Sequence, residues 1–227
     1  MTCWALIPLK DPAHGKGRLA GVLSPAERRR LIGAMLDRVL RTLENIPQID
    51  GIALVTPASG ITARDILILP DPGEGLNASL ATGTRTLAKR GASELLVLHA
   101  DLPLLACTDV EALIALGRCT GLGIAPDRYR RGTNAIFLKT GSDFSFHFGV
   151  GSFPAHLAEA VRCGLVPSVV DRPGLAMDID EPHDLKQLSW YDLPRSTRRA
   201  PALTPFERSH PTWLTASPES SPMRVRD

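Results

Sequence analysis

Between residues 3 and 190, short apolar runs alternate with longer amphipathic ones, and this alternation restricts the fold more than any other feature. Residues 3–9, 52–56, 66–69, 94–99, 122–125, 134–138 and 167–170 read as strands. They are short, apolar and bounded by turn residues. Between them lie helical periods. Ser24 is a helix cap, Pro25 a first helical residue, and Glu27 the third member of a capping box. Leu31, Ile32, Met35, Leu36, Val39, Leu40 and Leu43 then recur at helical spacing. Further helices are expected over 76–89, 109–118, 153–163 and 182–190. Strands that alternate with helices predict a three-layer α/β/α domain, with a mostly parallel, Rossmann-like sheet covered on both faces.

Of 227 residues, 44% are hydrophobic and only 5% aromatic. This suffices for one domain whose core is Leu, Ile, Val and Ala, placed at residues 1–193. Residues 194–227 hold six prolines and no sustained period, and read as a disordered Pro/Arg/Ser-rich tail. Of 26 Lys+Arg and 24 Asp+Glu, six arginines and three acids lie in 195–227, leaving 20 against 21 before them. A near-neutral body speaks against broad nucleic-acid binding. Cys3, Cys107, Cys119 and Cys163 form no C-x-x-C pair and read as buried reduced thiols. Pro8 and Lys10 interrupt the first apolar run too early for a signal peptide, and no run is long enough to span a bilayer. The expectation is a cytoplasmic protein, monomer or homodimer.

Open parallel sheets bind ligands beyond the carboxyl ends of their strands. After the first strand comes PLKDPAHGKGRLAGVLS, with Lys10, Lys16 and Arg18 among glycines. Such a loop brings backbone N–H groups and cations toward phosphate, or is only a solvated basic loop. After the third strand, PDPGEGLNASL offers a Gly73–Gly75 turn and Asn77 as a helix cap, or a nucleotide contact. In LLVLHADLPLL, Asp101 ends a strand that should be buried on both faces, so its carboxylate needs a cation, a metal or a capping role. In LAMDIDEPHDL, Asp178 and Asp180 face one side of an extended segment, where two carboxylates repel unless a cation lies between them. Hard oxygen ligands beside phosphates favour Mg²⁺. Asp180 or Glu181 also suits the cap of a helix starting at Pro182. Finally, RYRRGTNAIFL and FHFGVGSFPAHLAEAV place Gly132 and Thr133 before a strand, and Gly149, Gly151 and the capping candidate Ser152 before a helix. That helix start is a second anion site. Two anion sites and one acidic cluster suggest two phosphorylated substrates meeting at Mg²⁺.

Taken in order, IPLK, KGRLAGVLSPAERRRL, GEGLN, HADLPLL, APDRYRRGTNAIFL, FHFGVGSFPAH and DIDEPHDL resemble the 2-phospho-L-lactate guanylyltransferase family (CofC/FbiD type). The resemblance spans about residues 3–192. It implies the nucleotide-diphospho-sugar transferase fold, related to the molybdenum-cofactor nucleotidyltransferases. It also implies transfer of a guanylyl group from GTP to a small phosphorylated acid, with release of pyrophosphate, in deazaflavin coenzyme biosynthesis. By this resemblance Lys10, Lys16 and Arg18 face the GTP phosphates, and Gly75, Leu76 and Asn77 lie near the nucleoside. Asp101, Asp178 and Asp180 bind Mg²⁺, and Thr133, Gly149 and Ser152 hold the acceptor phosphate. Lys16, Arg18 and Asp101 form the catalytic set. The chain departs from the usual family pattern at Gly17 after Lys16, at His99 before Ala-Asp, and at Glu181 before proline.

The implied reaction needs no dedicated base, because a phosphate monoester is already ionised near neutral pH. His14, His99, His147, His156 and His183 accordingly read as turn, packing or cap residues. The acceptor is 2-phospho-L-lactate, phosphoenolpyruvate or 3-phospho-D-glycerate, which differ by less than one sequence discriminates. One rival is a nucleotidyltransferase for a sugar phosphate or the molybdenum cofactor; IPLK in place of a glycine-rich start speaks against it. The other is a non-catalytic nucleotide-binding protein, which has little need of three aspartates.

Overall fold

Ser24 begins its helix as its neighbours require. The Ser24 hydroxyl accepts from the Glu27 N–H at 3.3 Å, and the Glu27 carboxylate accepts from the Ser24 N–H at 2.8 Å. Helix α1 then runs Pro25–Glu44 and turns Ile32, Met35, Leu36, Val39, Leu40 and Leu43 inward. A computed structural model describes residues 1–12, 15–58 and 66–188 of the chain. His14, Trp190, the end of the domain at 193 and the tail lie outside the described residues.

The strands are β1 (Cys3–Pro8), β2 (Gly51–Thr56), β3 (Leu67–Pro70), β4 (Glu94–Leu98), β5 (Leu122–Pro126), β6 (Thr133–Lys139) and β7 (Ser168–Val169). They form one sheet in the order β3-β2-β1-β4-β6-β5-β7. Every pairing is parallel except those of β6, which runs antiparallel to both β4 and β5. The segment 127–132 between β5 and β6 is too short for a crossover and suits a hairpin. Asp127 closes it by accepting from the N–H groups of Tyr129, Arg131 and Gly132.

Helices α2 (Leu76–Lys89), α3 (Cys107–Thr120) and α4 (Ser152–Arg162) supply the remaining layers. A short helix α5 (Pro173–Ala176) precedes α6 (Pro182–Leu188). Strand alternation divides the interior. Ala5, Ile7, Leu96 and Leu98 pack with Val39, Leu40, Leu113 and Leu175 on one face. Leu6, Val55, Leu95 and Val97 pack with Leu80, Leu87, Phe148 and Phe153 on the other. The expected three-layer architecture is therefore present. Helix α3 starts two residues before the expected 109, because Asp109 sits inside its first turn and accepts from the Ala106 N–H at 3.1 Å. Cysteine burial is mixed: Cys3 is buried and Cys119 exposed, which corrects the reading of four buried thiols.

Candidate active site

Strand order reverses between β1 and β4, which lie side by side while their connections leave in opposite directions. A crevice at such a reversal is the usual ligand position in this architecture. Lys16 follows β1, and Asp101 follows β4. The Lys16 ammonium donates to Asp101 Oδ2 in a short ion pair and to Asp180 Oδ1 at 2.9 Å. Lys16 reaches this position from a left-handed backbone, φ 54°, and its side chain is 11% exposed. Arg18 Nη1 lies 3.7 Å from Asp180 Oδ2 but is 69% exposed, so solvent weakens this pair.

Packing explains why these groups meet. Ile179 is fully buried against Leu19, Met35 and Leu188. With Ile179 turned in, Asp178 and Asp180 on either side turn out, as the spacing of an extended segment requires. Leu19 ends the 3₁₀ turn Gly17–Leu19, so the same cluster fixes the loop that carries Lys16.

The electrostatics are tightly balanced. Burial disfavours charge on Lys16, yet Asp101 and Asp180 outweigh it and hold its pKa above the ordinary value. Burial likewise opposes ionisation of Asp101, and the Lys16 ammonium reverses that and holds the carboxyl below its usual range. Asp178 has no such partner among the described residues. Burial, then the charges of Asp101 and Asp180, push its pKa up to about 6. Asp101 Oδ1 is enclosed without a hydrogen-bond partner among the described residues. No three His, Cys, Asp or Glu converge into a ready-made metal cage among the described residues. The donor set instead fits a hard cation that takes few carboxylates and completes its shell with phosphate and water, as Mg²⁺ does.

Two residues that organise this site escaped the sequence reading. Asn134, on β6, is 3% exposed and donates to the Leu175 carbonyl at 2.9 Å. Its amide also lies against the Asp178 carboxylate and favours the charged form. Asp184 accepts from the N–H groups of Asp180 at 2.8 Å and Glu181 at 2.7 Å, and pairs with Arg128. Asp184 thus supplies the carboxylate that organises the start of α6, rather than Asp180 or Glu181. Its position two residues after Pro182 was the available signal. Glu181 is exposed and lies 3.3 Å from His183 Nδ1.

The acceptor-side residues are also brought together. The Ser152 hydroxyl accepts from the Thr133 N–H at 2.9 Å, and Thr133 Oγ1 meets His156 Nδ1 at 2.9 Å. His156 Nε2 accepts from the His147 N–H at 2.9 Å, so Nδ1 carries the proton and Thr133 Oγ1 accepts it. Burial pushes the His156 pKa down to about 4. Thr133 and Ser152 are themselves buried, at 1% and 2% exposure. Ser152 is the first residue of α4 rather than its cap; Gly151, with φ 71°, holds the cap position without a side-chain bond. The first-turn donors are committed, Ser152 N–H to Gly149, Phe153 N–H to Arg131 and Ala155 N–H to Gly151. Pro154 has none. The N–H groups of Gly149, Val150 and Gly151 have no acceptor among the described residues, so the open backbone donors lie in the loop before the helix rather than in its first turn.

On the nucleoside side, Gly75 caps α2 with φ 95°, and Leu76 and Asn77 are its first two residues. Asn77 is not the cap. Its side chain clamps Phe148, with Oδ1 accepting from the Phe148 N–H at 2.8 Å and Nδ2 donating to the Phe148 carbonyl at 3.1 Å. The start of α2 and the loop before α4 are thereby joined. Phe148 also packs on the His99 ring, 5.1 Å between centroids. Lys10 is exposed just beyond β1.

Among the described residues, a sheet of seven strands with one reversed member and helices on both faces is the fold of the nucleotide-diphospho-sugar transferases. A protein from Desulfovibrio desulfuricans, provisionally assigned to that class, superposes with a TM-score of 0.67 at 15% identity, over 89% of this chain and 93% of its own. The 4-diphosphocytidyl-2C-methyl-D-erythritol synthase of Anaerococcus prevotii does so with a TM-score of 0.59 at 12% identity, over 84% and 95%. Sequence narrows the class further. The chain belongs to the family described as "Guanylyl transferase CofC like", whose model matches residues 3–197. It is 39% identical to the phosphoenolpyruvate guanylyltransferase of Sphaerobacter thermophilus, over 83% of this chain and 93% of the relative. It is 38% identical to the protein of the same name from Rubrobacter xylanophilus, over 83% and 94%.

Proposed function

We propose that this guanylyltransferase joins GTP to phosphoenolpyruvate and releases pyrophosphate, as a step toward the deazaflavin coenzyme. The carrying observation is the Lys16 ammonium between Asp101 and Asp180 at the switch point, a place already built to hold a cation beside anions. The acceptor is chosen among three candidate acids because the curated relatives carry the phosphoenolpyruvate name. The proposed setting is the cytoplasm; among the described residues no helix is long and apolar enough to cross a membrane.

In the proposed reaction a phosphate oxygen of the acceptor attacks the α-phosphorus of GTP. One P–O bond forms there and the bond to the β-phosphate breaks. No proton is transferred, because the attacking phosphate is already ionised. What opposes the step is repulsion between anions. Mg²⁺, held by Asp101, Asp178 and Asp180, would supply charge that screens this repulsion. Lys16 and Arg18 would stabilise the departing pyrophosphate, and Lys10 would steer the triphosphate. Gly75, Leu76 and Asn77 would border the nucleoside. The open N–H groups at 149–151, with Thr133 and Ser152 behind them, would hold the acceptor phosphate. Catalysis on this reading is positioning and electrostatics.

The test uses purified protein with Mg²⁺, GTP and, separately, phosphoenolpyruvate, 2-phospho-L-lactate and 3-phospho-D-glycerate. Pyrophosphate release and product mass are recorded. A guanylylated enolpyruvate product is expected. Preference for another acid would reassign the acceptor; no release with any acid would overturn the proposal.

A further inference from the structure

We infer that Asn134 is the positioning residue that sets the Asp101 and Asp178 segments against each other; this rests on the metal-dependent reading above. Asn134 stands on β6 before the buried residues Ala135, Ile136 and Phe137. A buried amide in such a strand is unfavourable unless its polar atoms are matched. The residue points two ways. Its backbone carbonyl, whatever the side chain, accepts from the His99 N–H at 3.0 Å in the β4–β6 pairing, two residues before Asp101. The side-chain amide donates to the Leu175 carbonyl at 2.9 Å, three residues before Asp178. It also lies against the Asp178 carboxylate.

The reversed strand makes this possible. Because β6 runs antiparallel to β4, Leu98 pairs with Ala135, and Asn134 falls beside His99 at the carboxyl end of β4. The beginning of β6 therefore lies where the parallel strands end, at the crevice. Helix α5 has only four residues and no side-chain cap bond at its start. Its place beside the crevice depends on tethers such as Asn134 to Leu175 and the Arg128 N–H to Ala176 at 3.0 Å. Groups that hold a metal-binding carboxylate typically change metal affinity by ten- to a hundredfold when removed.

The test measures Mn²⁺ binding by electron paramagnetic resonance in the absence of nucleotide, for wild type, Asn134→Ala and the better-filling Asn134→Leu. Melting temperature and steady-state kinetics accompany it. Mn²⁺ affinity should fall about tenfold or more in both variants. kcat should fall with it, while the KM for GTP changes little. In an Asp178→Asn background, Asn134→Ala should add little further loss, since both act on one carboxylate. A lowered melting temperature with unchanged Mn²⁺ affinity would reduce Asn134 to a structural role and overturn the inference. Losses that simply multiply in the double variant would do the same. Wild type that binds Mn²⁺ yet releases no pyrophosphate would overturn the proposed reaction while the coupling still decides the role of Asn134.

Discussion

Lys16 and Asp101 form an ion pair across the strand reversal, one from the loop after β1 and the other from the loop after β4. Their side chains are 11% and 22% exposed, so neither charge is well solvated alone. Removing one member of such a pair strands the other and costs about 3 kcal/mol. Lys16→Met should therefore lower the melting temperature. On the metal-dependent reading, Mg²⁺ replaces the missing ammonium. Addition of Mg²⁺ should then raise the melting temperature of Lys16→Met more than that of wild type. Equal shifts in scanning calorimetry would separate the Lys16 position from the metal position.

Among the described residues, Asp178 is the one of the three carboxylates without a cationic partner. Burial and two neighbouring charges disfavour its ionised form. Asp178→Asn removes the repulsion and keeps the shape, so the melting temperature should hold or rise. On the metal-dependent reading, turnover should fall about a thousandfold or more, because the lost charge would help hold the cation. Asp101→Asn should lose as much activity but also stability, since it leaves the buried Lys16 ammonium with the half-exposed Asp180 alone. Near-normal pyrophosphate release by both variants would end the metal proposal.

His156 makes stability depend on pH. Its folded pKa is about 4, below the ordinary value of 6.5, so the unfolded chain binds the extra proton first. Its contribution should be complete above pH 6.5 and be lost as pH drops toward 4, by ~2.5 kcal/mol at pH 4.5. Glu159 acts lower: hydrogen bonding from Arg162 holds it at about 2, so its contribution is lost only between pH 4.5 and 2. Asp178, raised to about 6, gains its proton in the same window with the opposite sign, and His99, held low by burial, adds to the loss. The His156 share is therefore the difference between wild type and His156→Gln in urea unfolding between pH 7 and 4.5; the variant should lose less stability in acid than wild type.

Asn77 joins the two loops through paired hydrogen bonds to Phe148. Asn77→Ala leaves a backbone N–H and a carbonyl unmatched and should cost about 1–3 kcal/mol. The loop at 149–151 would lose its anchor. The KM for the acceptor acid should therefore rise more than the KM for GTP, which initial-rate kinetics varying each substrate at saturation of the other would resolve.

Strand and helix order was readable because it depends on local periods. Ser24 to Glu27 is a local motif, and so is the turned-out pair Asp178 and Asp180 around Ile179. A carboxylate at a buried strand end, Asp101, also announced itself. Asn134 did not, because it reads as one polar residue at the start of an apolar strand. Its side chain takes its meaning from Leu175 and Asp178, far away in sequence. Asn77 and Ser152 were readable as helix-start residues, yet both spend their side chains on another segment. Asp184 carried a local signal, a carboxylate two residues after a helix-starting proline, beside two more conspicuous aspartates.

The sequence alone determined the alternation of elements, the family, and which residue types stand at the strand ends. Those follow from side-chain period and local capping, which involve only near neighbours. The tertiary structure decided the reversal of β6, the placing of Lys16 between Asp101 and Asp180, and the ties from Asn134 and Asp184. These depend on which distant segments share a buried surface. The packing of Ile179 on Leu19 and Met35 selects that arrangement, and no local period encodes it.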